Sequence, residues 1–386
     1  MKKILITNST CLQDNIGGAS RSIHEIALEL SQVYDITLIV PNRNKKDESE
    51  NINKNYKIIR YPYNCKNKVT KLLSSIQFFM QHKSLIEDTY DIVWGQSPEP
   101  FLYLMVLTKL KKIRNIIYTF HGPWYEEYKY ASGKESILLK YIIKFIEKVI
   151  LHYANTIHFQ SNYIFQKINK EHKIKKETKI LNILINPEQY KSKKYLLTNN
   201  LIKIDKLNLF LIRRLTPRTG VLNFVKNIYL LKKELKDEIN ILIAGQGEEF
   251  KLIEKFIKHN MMDNYVRLLG GVEQDMADDL IQKSDYVVMP SIGAEGFGVT
   301  VLESLYQQTE VLYANNGGMK EFLEKNYSDN IFNPLELKSL EKLLENKIKL
   351  NKRKNFQKQF RKVDSNLDFK SNLKNLIGVD YEKKDY

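Results

Sequence analysis

Short apolar runs alternate with helix-like stretches from one end of this chain to the other, and the alternation occurs twice. In the first half the expected strands are 4–7, 36–40, 57–61, 92–94, 115–120, 156–159 and 179–183. In the second they are 208–212, 239–244, 265–269, 286–289 and 311–314. Strands that recur between helices bury themselves in a parallel sheet with helices on both faces. At 386 residues the chain exceeds one small core and suits two domains. A polar break, YKSKKYLLTNN at 190–200, separates the two series. The expected domains are therefore 1–190 and 191–365, with a tail of about 366–386 packing back on the first. Doubly wound domains bind ligands beyond the C-terminal ends of their strands, so candidate residues are sought there.

The stretch PSIGAEGFGVTVLES at 290–304 is the richest of these positions. It follows the apolar run 285–289 and precedes the helix-like run 299–306, so its glycines open a helix. First-turn N–H groups of a helix lack internal partners and carry the positive end of its dipole. Gly296 and Gly298 let a ligand approach that backbone, a way to hold a diphosphate without a metal. Glu303, about two turns in, is placed to accept from ribose hydroxyls. Glu295, outside the helix, can do the same for a sugar beyond the phosphates. The pattern reads as a nucleotide-sugar site.

Other motifs also follow strands. Gly17-Gly18-Ala19-Ser20 precedes an amphipathic helix at 21–30; it is either a close-approach loop or a capped turn, and it is not a dinucleotide fingerprint. Arg213-Arg214-Leu215-Thr216-Pro217-Arg218-Thr219-Gly220 sets arginines ahead of a helix start, where cations suit a visiting anion. His121-Gly122 ends strand 115–120, with Trp124 and Tyr125 as an apolar wall or acceptor platform. Lys140, Lys144 and Lys148 recur at every fourth position of an otherwise apolar helix. They mark either a core helix with a solvated lysine stripe or a helix lying on a membrane surface.

Net charge is +16. Residues 1–200 carry 31 Lys+Arg against 18 Asp+Glu, and residues 201–386 carry 30 against 27. The excess in the first half suits an anionic partner or a lysine-rich solvated surface. No apolar run reaches membrane-spanning length, the N-terminus MKKILITNST reads as a strand, and two cysteines are too few for a disulfide framework or zinc site. Motifs of P-loop, serine-hydrolase, zinc-protease and kinase chemistry are missing from the sequence, as is Asp-x-Asp.

Taken together, the chain resembles the retaining glycosyltransferases of family 4. The resemblance rests on Glu295-x7-Glu303 within the PS…EGFG…LE run, Gly317-Gly318 with Glu321, Ala244-Gly245-Gln246-Gly247, Gly17-Gly18, His121-Gly122, and Arg214 as the arginine of a GRL…KG motif. It implies an α/β architecture of GT-B type, two Rossmann-like doubly wound parallel-sheet domains facing across a cleft. The N-terminal domain would bind the acceptor and the C-terminal one the donor. It implies catalytic roles for Arg214, Glu295 and His121. It implies donor contacts from Gly17, Gly18, Arg214, Arg218, Thr219, Glu295, Gly296, Phe297, Gly298, Val299 and Glu303. The expected activity is transfer of a hexosyl or N-acetylhexosaminyl group, with retention and without a metal or other cofactor. A UDP-sugar is the expected donor, and a saccharide or lipid-linked saccharide the acceptor. The expected setting is cell-surface polysaccharide or glycoconjugate synthesis, in the cytoplasm or on the inner face of the cell membrane, with no nucleic-acid partner. The alternatives are a sugar-nucleotide epimerase of similar fold and a non-catalytic nucleotide-sugar-binding subunit. Three positions depart from the family pattern: the lysine before the glycine is Thr219, with Arg218 beside it; Tyr306-Gln307-Gln308-Thr309-Glu310 stands where small residues are usual; and the linker aspartate is Asn186.

Overall fold

The computed structural model describes all residues except 1, 13–16, 43–48, 53–54, 64–67, 82–89, 108–114, 133–135, 184, 191–197, 199, 294, 353–367 and 379–386. It divides into two units: Met1–Pro123 with Ser136–Asn186 and Ser365–Tyr386, and Trp124–Glu135 with Pro187–Asp364.

The first unit holds an eight-stranded sheet. Its strands are β1 (Lys3–Thr7), β2 (Asp35–Asn42), β3 (Ser49–Ile52), β4 (Tyr56–Pro62), β5 (Ile92–Gly95), β6 (Asn115–Phe120), β7 (Thr156–Phe159) and β8 (Thr178–Ile180). The order is β3-β4-β2-β1-β5-β6-β7-β8. All pairs are parallel except β3 with β4. The central strands are buried almost throughout, as strands covered on both faces must be. Chain order reverses between β1 and β5, which makes their C-terminal ends the switch point of this sheet.

Helix α1 (Gly18–Leu30) lays Ile23, Ile26, Ala27 and Leu30 on this sheet. Helices α2 (Lys68–Gln81) and α3 (Pro98–Leu107) follow β4 and β5; α4 (Trp124–Ser132) falls in the second unit. Helix α5 (Ile137–Tyr153) precedes β7 and α6 (Asn162–His172) follows it. Far along the chain, Phe369, Leu373, Leu376 and Ile377 join the first unit's core; they belong to the last helix described, Phe369–Ile377.

The second unit is built on β9 (Leu207–Ile212), β10 (Ile239–Ala244), β11 (Val266–Gly270), β12 (Tyr286–Met289), β13 (Glu310–Ala314) and β14 (Ile331–Phe332). The sheet runs β11-β10-β9-β12-β13-β14, wholly parallel. Its switch point lies between β9 and β12. Helices α7 (Val221–Leu230), α8 (Lys233–Asp237), α9 (Phe250–His259), α10 (Gln274–Lys283), α11 (Val299–Tyr306), α12 (Gly317–Tyr327) and α13 (Leu337–Lys352) complete it. Two apolar clusters occupy the two faces, one around Leu209, Leu211 and Ile241, the other around Phe210, Leu242 and Val287. Alternate residues of one strand thus feed opposite layers. Among the described residues no helix is long and apolar enough to cross a membrane.

Helix α5 inverts its expected amphipathy. Lys140 and Lys144 are half-buried, Glu147 is buried, and Ile137, Leu138, Tyr141, Ile142 and Phe145 face solvent. The helix is therefore not a core helix with a solvated lysine stripe: it buries Ile150, Leu151 and Glu147 and makes polar contacts to α6 through Glu147 and Lys144.

Candidate functional site

In the second unit the C-terminal ends of β9, β10 and β12 carry three loops joined backbone to backbone. Leu215 N–H donates to Gln246 O and Glu249 N–H to Leu215 O. Ile292 and Gly293 N–H both donate to Arg218 O, at 3.0 and 3.1 Å. Gly220 turns the chain from Pro217–Thr219 into α7 at φ +72°; a Cβ there would lie 2.1 Å from Pro290 O. This close fit fixes the arginine loop against the glutamate loop.

The charged centre sits at the switch point. Glu295 accepts from Arg213 Nη2 at 2.6 Å, Arg218 Nη1 at 3.1 Å and Ser291 Oγ at 3.2 Å, all through Oε2. Its Oε1 has no hydrogen bond among the described residues. Burial pushes the carboxyl up, but the two guanidiniums and the serine outweigh it and bring it down to about 2. The group is a fixed anion at neutral pH. Its backbone is held as well: Glu295 O accepts from Gly318 N–H at 2.9 Å, and Asn316 Nδ2 donates to Ser291 O at 2.7 Å. Gly317 is at φ +73°, and a Cβ there would meet Glu295 O at 2.6 Å. Only glycine permits this approach of α12 to the glutamate.

Gly298, at φ +93°, caps α11, whose first residue is Val299. Phe297 is buried with its ring 5.1 Å from that of Phe322, and Gly296 precedes it. Glu303 is the fifth residue of α11, a little over one turn in rather than two, and buried. Tyr190 Oη lies 3.5 Å from its Oε1, and the Tyr190 and Tyr306 rings are 6.2 Å apart.

The arginine motif divides its work. Arg213, at the site of the family glycine, turns inward to Glu295 and Met289 Sδ. Arg214 is exposed and has no side-chain partner among the described residues. Thr219 is buried: its Oγ1 lies 2.8 Å from both Arg214 O and Thr216 O and accepts from Thr216 N–H. It staples the turn and offers no charge. The sequence places Arg213 among the arginines that suit an anion but gives the motif role to Arg214, and it offers no signal for Ser291 or Asn316. The polar run after Glu303 is absorbed by α10, with Gln307 bonded to Gln282 and Asp278 and Thr309 Oγ1 to Ile281 O.

In the first unit, His121 follows β6 between two glutamines from neighbouring strand ends. Its Nε2–H donates to Gln96 Oε1 at 2.8 Å, and Nδ1 accepts from Gln160 Nε2 at 3.2 Å. Burial lowers it to about 4, so it is neutral at pH 7. Gly17 and Gly18 are exposed at the start of α1, with Gly17 N–H donating to Ser20 Oγ. Asn186 N–H donates to the Glu25 carboxylate. Trp124 and Tyr125 belong to the stretch grouped with the second unit.

A second histidine lies under the same strand ends and belongs to no motif in the sequence. His158 is fully buried between Thr119 Oγ1 at 2.9 Å and Leu181 O at 2.8 Å, and Trp94 Nε1–H donates to that same Thr119 hydroxyl. Burial is the main cause that lowers it to about 4. Its folded value lies below the ordinary 6.5, so the unfolded chain binds the proton first as pH falls. Stability present above pH 6.5 is lost between there and about 4, by up to about 3 kcal/mol. Urea unfolding at stepped pH should show this slope in the wild type and a flatter one in His158→Gln.

Two family profiles match the chain. One, described as glycosyl transferases group 1, covers residues 196–363; the other, glycosyltransferase family 4, covers residues 16–188. An uncharacterised glycosyltransferase of Methanocaldococcus jannaschii is 25% identical over 86% of this chain and 87% of its own length. A phosphatidyl-myo-inositol mannosyltransferase of Mycobacterium leprae is 26% identical over 31% of each. Among solved structures, sucrose-phosphate synthase of Thermosynechococcus elongatus superposes with a TM-score of 0.76 at 14% identity, over 98% of this chain and 95% of the other. Anabaena HepE in complex with UDP and glucose gives 0.68 at 15%, over 98% and 96%.

Proposed function

We propose that this chain, which belongs to the glycosyltransferases and has their GT-B fold, moves a hexosyl or N-acetylhexosaminyl group from a nucleoside diphosphate sugar to an acceptor hydroxyl with retention. The observation that carries this reading is the Glu295 carboxylate, pinned through one oxygen by two arginines and a serine with its other oxygen unengaged. A carboxylate so held is a poor base and a poor nucleophile, since both guanidiniums stabilise its charged form. It is a good fixed acceptor for sugar hydroxyls. Arg213, Arg218 and the free Arg214, with the N-terminal turn of α11, supply positive charge where the diphosphate would depart. Metal is not required for that role.

The protein would then act by positioning and charge stabilisation, with the leaving phosphate taking the acceptor proton. Glu303 would hold the ribose, with Tyr190 fixing its orientation. His121, neutral and with both ring nitrogens held by Gln96 and Gln160, would stand beside the donor sugar as a fixed neutral wall and shuttle no proton. In this reading the lysine absent at Thr219 is replaced by a cation from the other side of the turn, Arg213. The likeness to HepE, whose structures hold UDP and UDP-glucose, supports uracil as the base. A saccharide or lipid-linked saccharide of surface-polysaccharide synthesis, reached from the cytoplasm, is the acceptor class we favour.

Product analysis tests the reading. Incubation with donor and a panel of saccharide acceptors should yield nucleoside diphosphate and an α-linked product from an α-linked donor. Conversion of the donor sugar without acceptor would instead establish an epimerase. Donor binding without turnover under any acceptor would establish a non-catalytic subunit.

A further inference from the structure

The apolar face of α5 is fixed outward. On the inner side Ile150 and Leu151 are buried, the buried Glu147 carboxylate accepts from His172 Nε2 at 2.8 Å, and Lys144 reaches Glu171 at 3.2 Å. Together these contacts hold the opposite side of the helix outward. The opposite side carries Ile137, Leu138, Tyr141, Ile142 and Phe145, exposed by 75, 72, 68, 44 and 67%. Positions 137, 141, 145, 148 and 152 fall on one stripe, so the apolar patch continues into Lys148 and His152. No other stretch of nine described residues holds as many exposed large apolar side chains. A contiguous patch of this kind marks a surface that is covered in function.

The charge around the patch identifies its cover. Residues 137–180 contain nine lysines and three glutamates. Each of those glutamates is already paired, Glu147 with His172, Glu171 with Lys144 and Glu177 with Lys179. The net positive charge therefore faces outward: Lys148, Lys170, Lys173, Lys175 and Lys176 are all exposed. A second copy docked on the same face by two-fold symmetry would bring like charges together. A surface that is apolar inside and anionic outside satisfies both features.

We propose that α5 lies in the headgroup region of an anionic lipid bilayer, with Ile137, Leu138, Tyr141, Ile142 and Phe145 inserted and the exposed Lys148 and Lys170 against the lipid phosphates. At 17 residues the helix is about 25 Å long and would lie along the surface rather than cross it. This is the reverse of a lysine stripe that meets the membrane while the apolar side meets the core. It stands independently of the donor site.

The test is co-sedimentation with phosphatidylcholine vesicles, with and without phosphatidylglycerol. The wild-type protein should bind the anionic vesicles and not the neutral ones. Tyr141→Ser with Phe145→Ser should weaken binding by at least about tenfold, since two large apolar side chains no longer leave water. Lys148→Glu with Lys170→Glu should weaken it by a similar factor. All four side chains are solvent-exposed or nearly so, and circular dichroism and a thermal shift with donor should match the wild type. That last readout separates failure of this face from failure of the donor reading. Wild-type protein that stays in solution with both vesicles overturns the proposal. So does equal binding to neutral vesicles, and so does a dimer in sedimentation velocity that the double serine variant dissolves.

Discussion

Arg213→Ala should lower kcat/KM for donor by roughly 10²–10³, the loss typical of removing one preorganised donor to developing charge. Arg213 is nearly buried, with a side chain 7% exposed, and lies 2.6 Å from Glu295. Its charge therefore acts in a poorly solvated setting, where it is worth more than on the surface. Removing it does two things. Under the proposed function, the diphosphate would lose a cation that Thr219, locked in its turn, cannot supply. Glu295 keeps only Arg218 and Ser291, so its carboxyl rises from about 2 towards the ordinary range. The acid limb of the pH–rate profile should move to higher pH along with the fall in rate. Arg213→Lys should recover part of the rate and little of the geometry, because an ammonium cannot span Glu295 and Met289 Sδ as a guanidinium fork does. A variant with wild-type kcat/KM would remove Arg213 from the machinery and return the second positive charge to Arg218 or Arg214.

Gly220→Ala should cost about 3–5 kcal/mol of stability, the upper range for a single substitution. Two effects add. The residue sits at φ +72°, a conformation that costs an L-residue roughly 1–2 kcal/mol. Its Cβ would also meet the Pro290 carbonyl oxygen at 2.1 Å and the Ile292 methyl at 3.2 Å. Relief requires moving the loop that carries Ser291 and Glu295, which Arg218 O holds through Ile292 and Gly293. The melting temperature should fall by about 10 °C, and activity should fall with it even where the protein is folded. Gly378→Ala is the control: φ is +70°, but nothing lies within 4 Å of the new Cβ. It should show the conformational cost alone. Equal shifts for the two variants would mean that the contact with Pro290 is not what makes glycine necessary at 220.

The sequence made the frame legible because buried parallel strands are nearly all apolar. Asn115–Phe120, Thr156–Phe159, Ile239–Ala244 and Tyr286–Met289 fall where the apolar runs place them. Two strands escaped for a physical reason. Ser49–Ile52 is a polar edge strand, and Ile331–Phe332 is two residues long. Neither leaves a pattern. Gly317 was legible too from its place in the motif, and it stands where the backbone of α12 meets that of Glu295.

What the sequence did not yield was direction. Arg213 and Arg214 are neighbours at the end of a strand, where side chains alternate between faces. Motif position favoured Arg214, but the inward face belongs to Arg213. Helix α5 repeats the lesson. Its apolar residues are plain in sequence, but which of them meet the protein depends on contacts distant in the chain, such as Glu147 with His172, twenty-five residues apart.

The most direct test of the central claim is donor binding to the second unit's site. Thermal stability of the full chain would be measured with UDP-, GDP-, ADP- and dTDP-sugars, for wild type and Glu303→Ala. A donor that binds only the folded protein, at about 100 times its dissociation constant, adds roughly 2.7 kcal/mol. Such a stabilisation is expected with a UDP-sugar and should be lost in Glu303→Ala. A folded wild-type protein that no nucleotide sugar stabilises, or a stabilisation that Glu303→Ala leaves intact, would contradict the claim.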